Sequence, residues 1–288
     1  AEKDGLDAQI AASDDEAVKS ALEAEKGQLG NVSVSAENVE ELQHIQAPAV
    51  EVNLPAFDPS GIIGAMDEEV AMLKEKLTEV QVETKAAMDF YKGKLEGKDV
   101  VVVRSGIGKV NAAMCAQILA DVYHADHVIN TGIAGSLKAE INIGDIVLST
   151  DALQHDMDAR AFGYEPGQIP RVDTLSFKAD EKMIALAKEC CEKVNPEIGV
   201  FTGRVVSGDQ FISDKEKKKW LTDTFAGYCT EMEGAAIAQV CYFNHIPFLI
   251  VRAISDKADD SASMDYPTFE AQAIRHSVNL MAEMLRCF

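Results

Sequence analysis

The chain has 288 residues, 47% of them hydrophobic, enough to bury a full core in one large domain or two small ones. Its formal net charge of -21 at pH 7 argues against a nucleic-acid partner, whose phosphates need Lys and Arg, and against an anionic membrane. No run of about eighteen apolar residues occurs, so no transmembrane helix is expected. The six cysteines (Cys115, Cys190, Cys191, Cys229, Cys241, Cys287) are scattered without metal-ligand spacing and read as buried free thiols. The first residue is Ala1, which fits either a trimmed tag or a removed leader; the expected compartment is the cytoplasm unless a leader exported the chain.

Residues 1–56 are acidic and poor in aromatics, with Gly27, Gly30, Pro48 and Pro55 punctuating them. Ser13 with Glu16 makes a capping box ahead of a short helix expected to end near Lys26. This segment reads as an N-terminal extension or linker, partly helical or disordered, and residues 57–288 as the catalytic domain.

Gly61 to Ala65, GIIGA, predicts a short apolar strand that breaks into a turn. Asp67, Glu68 and Glu69 then open a helix, where three carboxylates complement the helix dipole without any catalytic purpose. Their place directly after a strand end is what singles out Glu69. Two strands over 88–95 and 100–104 follow as a hairpin across Glu96 and Gly97. SGIGKV, 105–110, is a Gly-containing loop before a helix over 110–123; it lacks the full pattern of a phosphate-binding loop, and close strand-to-helix packing explains its glycines equally well.

A buried strand over 127–131 is expected to end in a second Gly turn, TGIAGS, and a further strand covers 145–150. Strand ends with small-residue turns point to an α/β sheet whose loops build one site. Residues 151–171 have no strong period, and a loop of that length is usually a lid or an interface. His155 and Asp156 within it invite a metal or triad reading, which no matching ligand or nucleophile motif supports. A helix over 179–194, a strand over 199–207, the loop SGDQFI and a solvated helix over 215–225 come next. Glu231, Met232 and Glu233 then lead into a small-residue helix over 234–243. The dipole explanation applies again, but that helix is apolar and its carboxylates need specific partners, for which a ribose diol would serve.

The chain is organised around PFLIVRAISDKADD, 247–260. Phe248, Leu249, Ile250 and Val251 read as a buried central strand, and Arg252, Ser255 and Asp256 follow at once. Charges at the end of a buried strand must be paired or face a cleft, and ligands in open α/β sheets sit beyond the carboxyl ends of the strands. Asp256 is the leading catalytic candidate. A helix over 268–288 closes the core.

Taken together, GIIGAMDEEV, SGIGKV, TGIAGS, AFGYE, SGDQFI, EMEGAAIA and VRAISDKAD closely resemble, in order and spacing, the bacterial 5'-methylthioadenosine/S-adenosylhomocysteine nucleosidases of the purine nucleoside phosphorylase superfamily. The resemblance covers residue 61 to the C-terminus. It implies a three-layer α/β/α fold around a mixed, partly barrel-like sheet, and hydrolysis of an N-glycosidic bond that releases adenine, a step of methionine salvage. It implies no cofactor and no metal. Carried over by position, Asp256 resembles the residue that protonates adenine at N7, with Ser255 orienting it, and Glu69 resembles the base that activates water. Glu233 resembles the ribose ligand, with Met232 packing on the sugar and Glu231 beside it; Arg252 resembles a position that helps hold the water site. The main chain of Phe211 and Ile212 resembles the adenine reader, while Met66, Ile107 and Tyr266 would line the alkylthio pocket. Phe162 matches a residue that the family lends across a homodimer interface.

The implied chemistry is coherent. Breaking a C–N glycosidic bond passes through an oxocarbenium-like state, so an acid must neutralise the leaving base while a base delivers water. Asp256 must then hold a proton when substrate is bound, which burial favours, and Glu69 must stay ionised. The sequence also departs from the family pattern. Ile133 stands in TGIAGS where many members have a hydroxyl residue, Ser136 replaces the final Gly, and Pro59 with Ser60 is expected to shorten the first strand. Three other readings stay open: a phosphorylase on the same fold, which would need cationic phosphate ligands that this first turn lacks; an aminofutalosine hydrolase; and a non-catalytic nucleoside-binding protein.

Overall fold

The computed structural model describes residues 59–258 and 262–288, with side chains of the last helix described from Phe269 onward. The expected capping-box helix before Lys26 lies outside these residues, as does the side chain of Tyr266. In chain order the elements are β1 (Ser60–Gly64), α1 (Asp67–Lys76), β2 (Thr78–Lys85), β3 (Met88–Leu95), β4 (Lys98–Arg104), α2 (Lys109–Asp121), β5 (His127–Ser136) and β6 (Ile146–Gln154). After a 3-10 turn at Arg160–Phe162 come β7 (Phe177–Lys178), α3 (Glu181–Val194), β8 (Val200–Ser207), α4 (Lys215–Phe225), β9 (Cys229–Glu231), α5 (Gly234–Asn244), β10 (Phe248–Asp256) and α6 (Ala262–Cys287).

The strands form one mixed sheet in the order β10-β6-β8-β9-β5-β1-β4-β3-β2, and an extra pairing of β10 with β5 closes the first five into a barrel. The α/β fold with a partly barrel-like sheet is therefore the observed one. β1 lies parallel between β4 and β5, and β10 runs parallel to β5. The apolar runs Val100 to Val103 and Leu249 to Val251 are fully buried because helices cover both sides of these strands. On one side α2 packs on α5, and elsewhere α6 packs on α3, β5 and β10.

Two local expectations change, and one strand was not foreseen. TGIAGS is not a turn: β5 runs on through Ser136, paired with β10 and β9. Its glycines serve close approach, since a Cβ on Gly132 would lie 2.5 Å from Glu69 Oε1 and 2.8 Å from Arg252 Nη1. Ser60 does not shorten β1, because it pairs with both Val100 and His127. β2 was not legible as a strand: it is an edge strand without a buried residue, so no apolar alternation marks it. Among the described residues Cys115, Cys190, Cys191, Cys229 and Cys241 are buried and Cys287 is exposed, all as free thiols.

Candidate active site

The carboxyl ends of β1, β5, β8, β9 and β10 converge on a cavity of about 400 Å3. Glu69 reaches it from the third position of α1. Its Oε2 accepts from the N–H groups of Ala65 (2.6 Å) and Met66 (3.0 Å), and its Oε1 from the N–H of Ile133 (3.1 Å). One side chain thus caps a helix start and lines the cavity, so the structural and the chemical explanations coexist. Burial pushes its pKa above the ordinary carboxylate value, against the opposing pull of Arg252 and the three amides.

Arg252 does not line the cavity. It is 2% exposed and lies behind the wall, where Nη2 donates to Asn130 Oδ1 and Glu231 Oε2, and Nε donates to Glu231 Oε2 at 3.2 Å. The guanidinium and Glu69 meet over Gly132, so Arg252 reaches the cavity through its neighbours' charges.

Glu231 and Glu233, two residues apart, have separate fates. Glu231 borders the cavity, yet its oxygens are occupied: Oε1 accepts from Ser207 Oγ, and Oε2 from Arg252 and the N–H groups of Glu233 (3.1 Å) and Gly234 (2.8 Å). The partner expected from a ribose diol is supplied by the protein. Arg252 and these donors, outweighing burial, hold its carboxyl below the usual range. Glu233 instead accepts a hydrogen bond from the N–H of Gly108 at 2.8 Å. Burial first, and the charge of Glu231 second, push it up to about 7. The glycine loop SGIGKV therefore holds a carboxylate: Gly108, at φ +97, turns its amide toward Glu233.

Asp256 ends β10 just beyond a bulge. Ile254 pairs with Ala134 and Asp256 with Gly135, leaving Ser255 as the extra residue that re-aims the carboxylate. Ser255 Oγ donates to Oδ2 at 2.9 Å and the N–H of Ala258 to Oδ1 at 2.7 Å. Gly135 must be glycine here, because a Cβ would lie 2.8 Å from Asp256 Oδ1.

Met66, Ile107, Ile133, Phe211, Ile212 and Met232 supply the apolar wall. Ile133 brings no side-chain hydroxyl, but its main-chain N–H contacts Glu69. Phe162 lies on the 3-10 turn, is 83% exposed and does not line this cavity. His155 and Asp156 form no triad: Asp156 binds Lys109 Nζ (2.6 Å) and the N–H of Asp209 (3.0 Å). His155 is buried against Gly208, and that burial lowers its pKa to about 4. Among the described residues no group of three potential metal ligands occurs, and no lysine or arginine lines the cavity. Sequence reading missed Asn130, Ser207 and Thr230. Each is a polar residue buried in a strand of the barrel, and the polar position beside buried apolar ones is the signal that could have marked it.

A family model described as the phosphorylase superfamily matches residues 59–286. A 5'-methylthioadenosine/S-adenosylhomocysteine nucleosidase of Bacillus thuringiensis subsp. konkukian is 44% identical over 225 residues, covering 78% of this chain and 96% of that protein. The solved structure of such a nucleosidase from Colwellia psychrerythraea 34H, in complex with adenine, shares 41% identity at a TM-score of 0.76, covering 79% of this chain and 94% of that one. Futalosine hydrolase of Helicobacter pylori shares 31% identity at a TM-score of 0.76, covering 81% and 99%. With the family model spanning most of the chain, and a relative so similar over nearly its whole length, the chain belongs to the 5'-methylthioadenosine/S-adenosylhomocysteine nucleosidase family of the phosphorylase superfamily.

Proposed function

We propose that the protein hydrolyses the N-glycosidic bond of 5'-methylthioadenosine and S-adenosylhomocysteine, releasing adenine and the thioribose product, as a step of methionine salvage. One observation carries this reading: the cavity gathers Glu69, Glu233 and Asp256 while no lysine or arginine among the described residues lines it. Carboxylates suit water activation and protonation of a leaving base, whereas a phosphate co-substrate would need cations.

In this reading Asp256, oriented by Ser255, gives its proton to N7 of the base as the C1'–N9 bond breaks and the bonding electrons leave with adenine. Water adds to C1' and passes a proton to Glu69, whose raised pKa makes it a better base than an ordinary carboxylate. Glu233 accepts from the ribose hydroxyls with Met232 against the sugar, and Phe211 and Ile212 read the base through their main chain. Arg252 and Glu231 act as positioning groups, the arginine balancing the charge of Glu69. Met66 and Ile107 line the alkylthio pocket.

A homodimer fits the surface. Phe162, Val110 and Phe243 are 83%, 78% and 55% exposed, an apolar display that a second copy would cover, with Phe162 reaching the neighbour's site. The cytoplasm fits the free cysteines, since thiols persist in reducing compartments. The same reading takes residues 1–56 as an N-terminal extension and 57–288 as the catalytic domain.

The test is adenine release from methylthioadenosine, S-adenosylhomocysteine and aminofutalosine, each with and without phosphate. Phosphate-independent release from the first two is expected. Release only with phosphate would make the protein a phosphorylase and remove Glu69 from its role, and preference for aminofutalosine would move it to the related hydrolases.

A further inference from the structure

The pair His155 and Asp156 has no part in the reaction assigned above, yet Asp156 is built into the frame of the site. It follows the end of β6 in the long segment 151–171, and its two oxygens go to two different loops. Oδ1 accepts from Lys109 Nζ of SGIGKV at 2.6 Å, and Oδ2 accepts from the N–H of Asp209 of SGDQFI at 3.0 Å. The loops also meet directly, because Asp209 Oδ1 accepts from the N–H of Lys109 at 2.8 Å. Lys109 is anchored from a third side as well. Its Nζ donates to Gln154 Oε1 at 3.0 Å, and Gln154 Nε2 donates to Gln239 Oε1 of α5 at 2.5 Å.

This tie exceeds an ordinary surface ion pair. The Lys109 and Asp156 side chains are only 19% and 17% exposed, and the carboxylate takes an ammonium on one oxygen and an amide on the other. Burial would raise the pKa of Asp156, but Lys109 and the Asp209 amide bring it below the ordinary value, so the link is ionised at neutral pH.

What the tie holds is the spacing of two cavity walls. SGIGKV brings Ile107 to the cavity and the Gly108 amide to Glu233, while SGDQFI brings Gln210, Phe211 and Ile212. Ile107 and Phe211 are each 53% exposed, so packing against the core fixes these tips only in part. The loops approach closely: a Cβ on Gly108 would lie 3.1 Å from Asp209 Oδ1. Resting on the nucleosidase reading above, the first loop serves the sugar and its 5' substituent, and the second serves the base. A nucleoside spans both loops, whereas free adenine meets only the second.

We propose that Asp156 is a positioning residue for the hydrolysis: it fixes SGIGKV and SGDQFI relative to each other, so that ribose and base are held in one register with Glu233 and Asp256. Asp156 does not itself line the cavity. Its contribution therefore falls on ligands that span both loops and on their alignment for bond breaking.

The experiment measures the dissociation constants of adenine and of 5'-methylthioformycin, a nucleoside analogue whose C–C glycosidic bond is not hydrolysed. It uses the full chain and its Asp156→Asn and Lys109→Met variants. In Asp156→Asn the amide keeps one acceptor, and its NH2 faces the other donor. This variant is expected to bind the analogue about tenfold more weakly and adenine within about twofold of wild type. Lys109→Met removes the ammonium while leaving Asp156 on Asp209, and the same separation is expected at about threefold. The double variant should lose no more than Asp156→Asn, since both changes break the same ion pair. A merely structural role would weaken both ligands together. Equal weakening of the two ligands, or no weakening of either, in the single variants overturns the proposal alone, as do losses that add in the double variant. Wild type that binds neither adenine nor the analogue overturns the nucleosidase reading and the proposal with it.

Discussion

Asp256 and Glu69 line one cavity, but what holds them differs in distance along the chain. Asp256 accepts from Ser255 and Ala258, its immediate surroundings on the bulge that ends β10. Glu69 is held by Ala65 and Met66 at the end of β1 and by Ile133 on β5, with Arg252 of β10 nearby. One carboxylate is set by a local turn of the chain and the other by three strands meeting. The same substitution, acid to amide, should therefore cost activity at both and stability at only one.

The largest effect is expected at Asp256→Asn. An amide can still accept from Ala258 and donate to Ser255, so melting should stay within about 0.5 kcal/mol of wild type. Loss of the proposed proton donor should slow adenine release about a thousandfold. Glu69→Gln should slow it comparably, but its NH2 group must face one of three amide donors, which adds about 1–3 kcal/mol of destabilisation. Adenine release and thermal melting on the two variants sharpen the contrast. Equal stability losses would erase it, and residual turnover within tenfold of wild type would remove either residue from the reaction.

Gly132 tests the shared part of the architecture. A Cβ there would meet both Glu69 Oε1 at 2.5 Å and Arg252 Nη1 at 2.8 Å, and neither group is free to retreat from its partners. Gly132→Ala should cost about 2 kcal/mol of stability by overpacking and about a hundredfold in turnover, by displacing Glu69, the proposed base. A variant with wild-type turnover would show that Glu69 does not need this position.

These contrasts also mark what the sequence could carry. Asp256 was legible because its surroundings are contiguous: an apolar run, then Arg252, Ser255 and Asp256. Glu69 was legible as a carboxylate at a helix start, but nothing in one dimension says that Ile133 donates to it. TGIAGS was misread as a turn because glycine serves both tight turns and close approach, and which applies depends on Glu69, Arg252 and Asp256 arriving from elsewhere. Glu231 and Glu233 look equivalent in EMEG. Only the arrival of Ser207 and Arg252 from other strands occupies the first and leaves the second facing the cavity. β2 left no trace, since an exposed edge strand needs no apolar face.

The smallest expected effect follows from that last pair. Glu233 is raised from 4.5 to about 7, so its ionised form is disfavoured by the fold. A raised carboxylate contributes stability that is complete below its unfolded pKa and is lost as pH rises through the folded one, so wild type should weaken between about pH 4.5 and 7. The shift of about 2.5 pH units sets a ceiling of about 3 kcal/mol, which structural relaxation around Glu231 and Arg252 should reduce to about 1–2. Glu233→Gln keeps an oxygen for the N–H of Gly108 and removes the titration. It should therefore match wild type near pH 4.5 and melt higher at pH 8, while binding a ribose hydroxyl less well. Glu231→Gln should do the reverse at neutral pH, because its carboxylate is ionised and paired with Arg252, and breaking such a pair is destabilising. Melting both variants from pH 4.5 to 8 decides the matter: parallel curves would mean that the two glutamates share one environment, and diverging curves that one belongs to the scaffold and the other to the ligand.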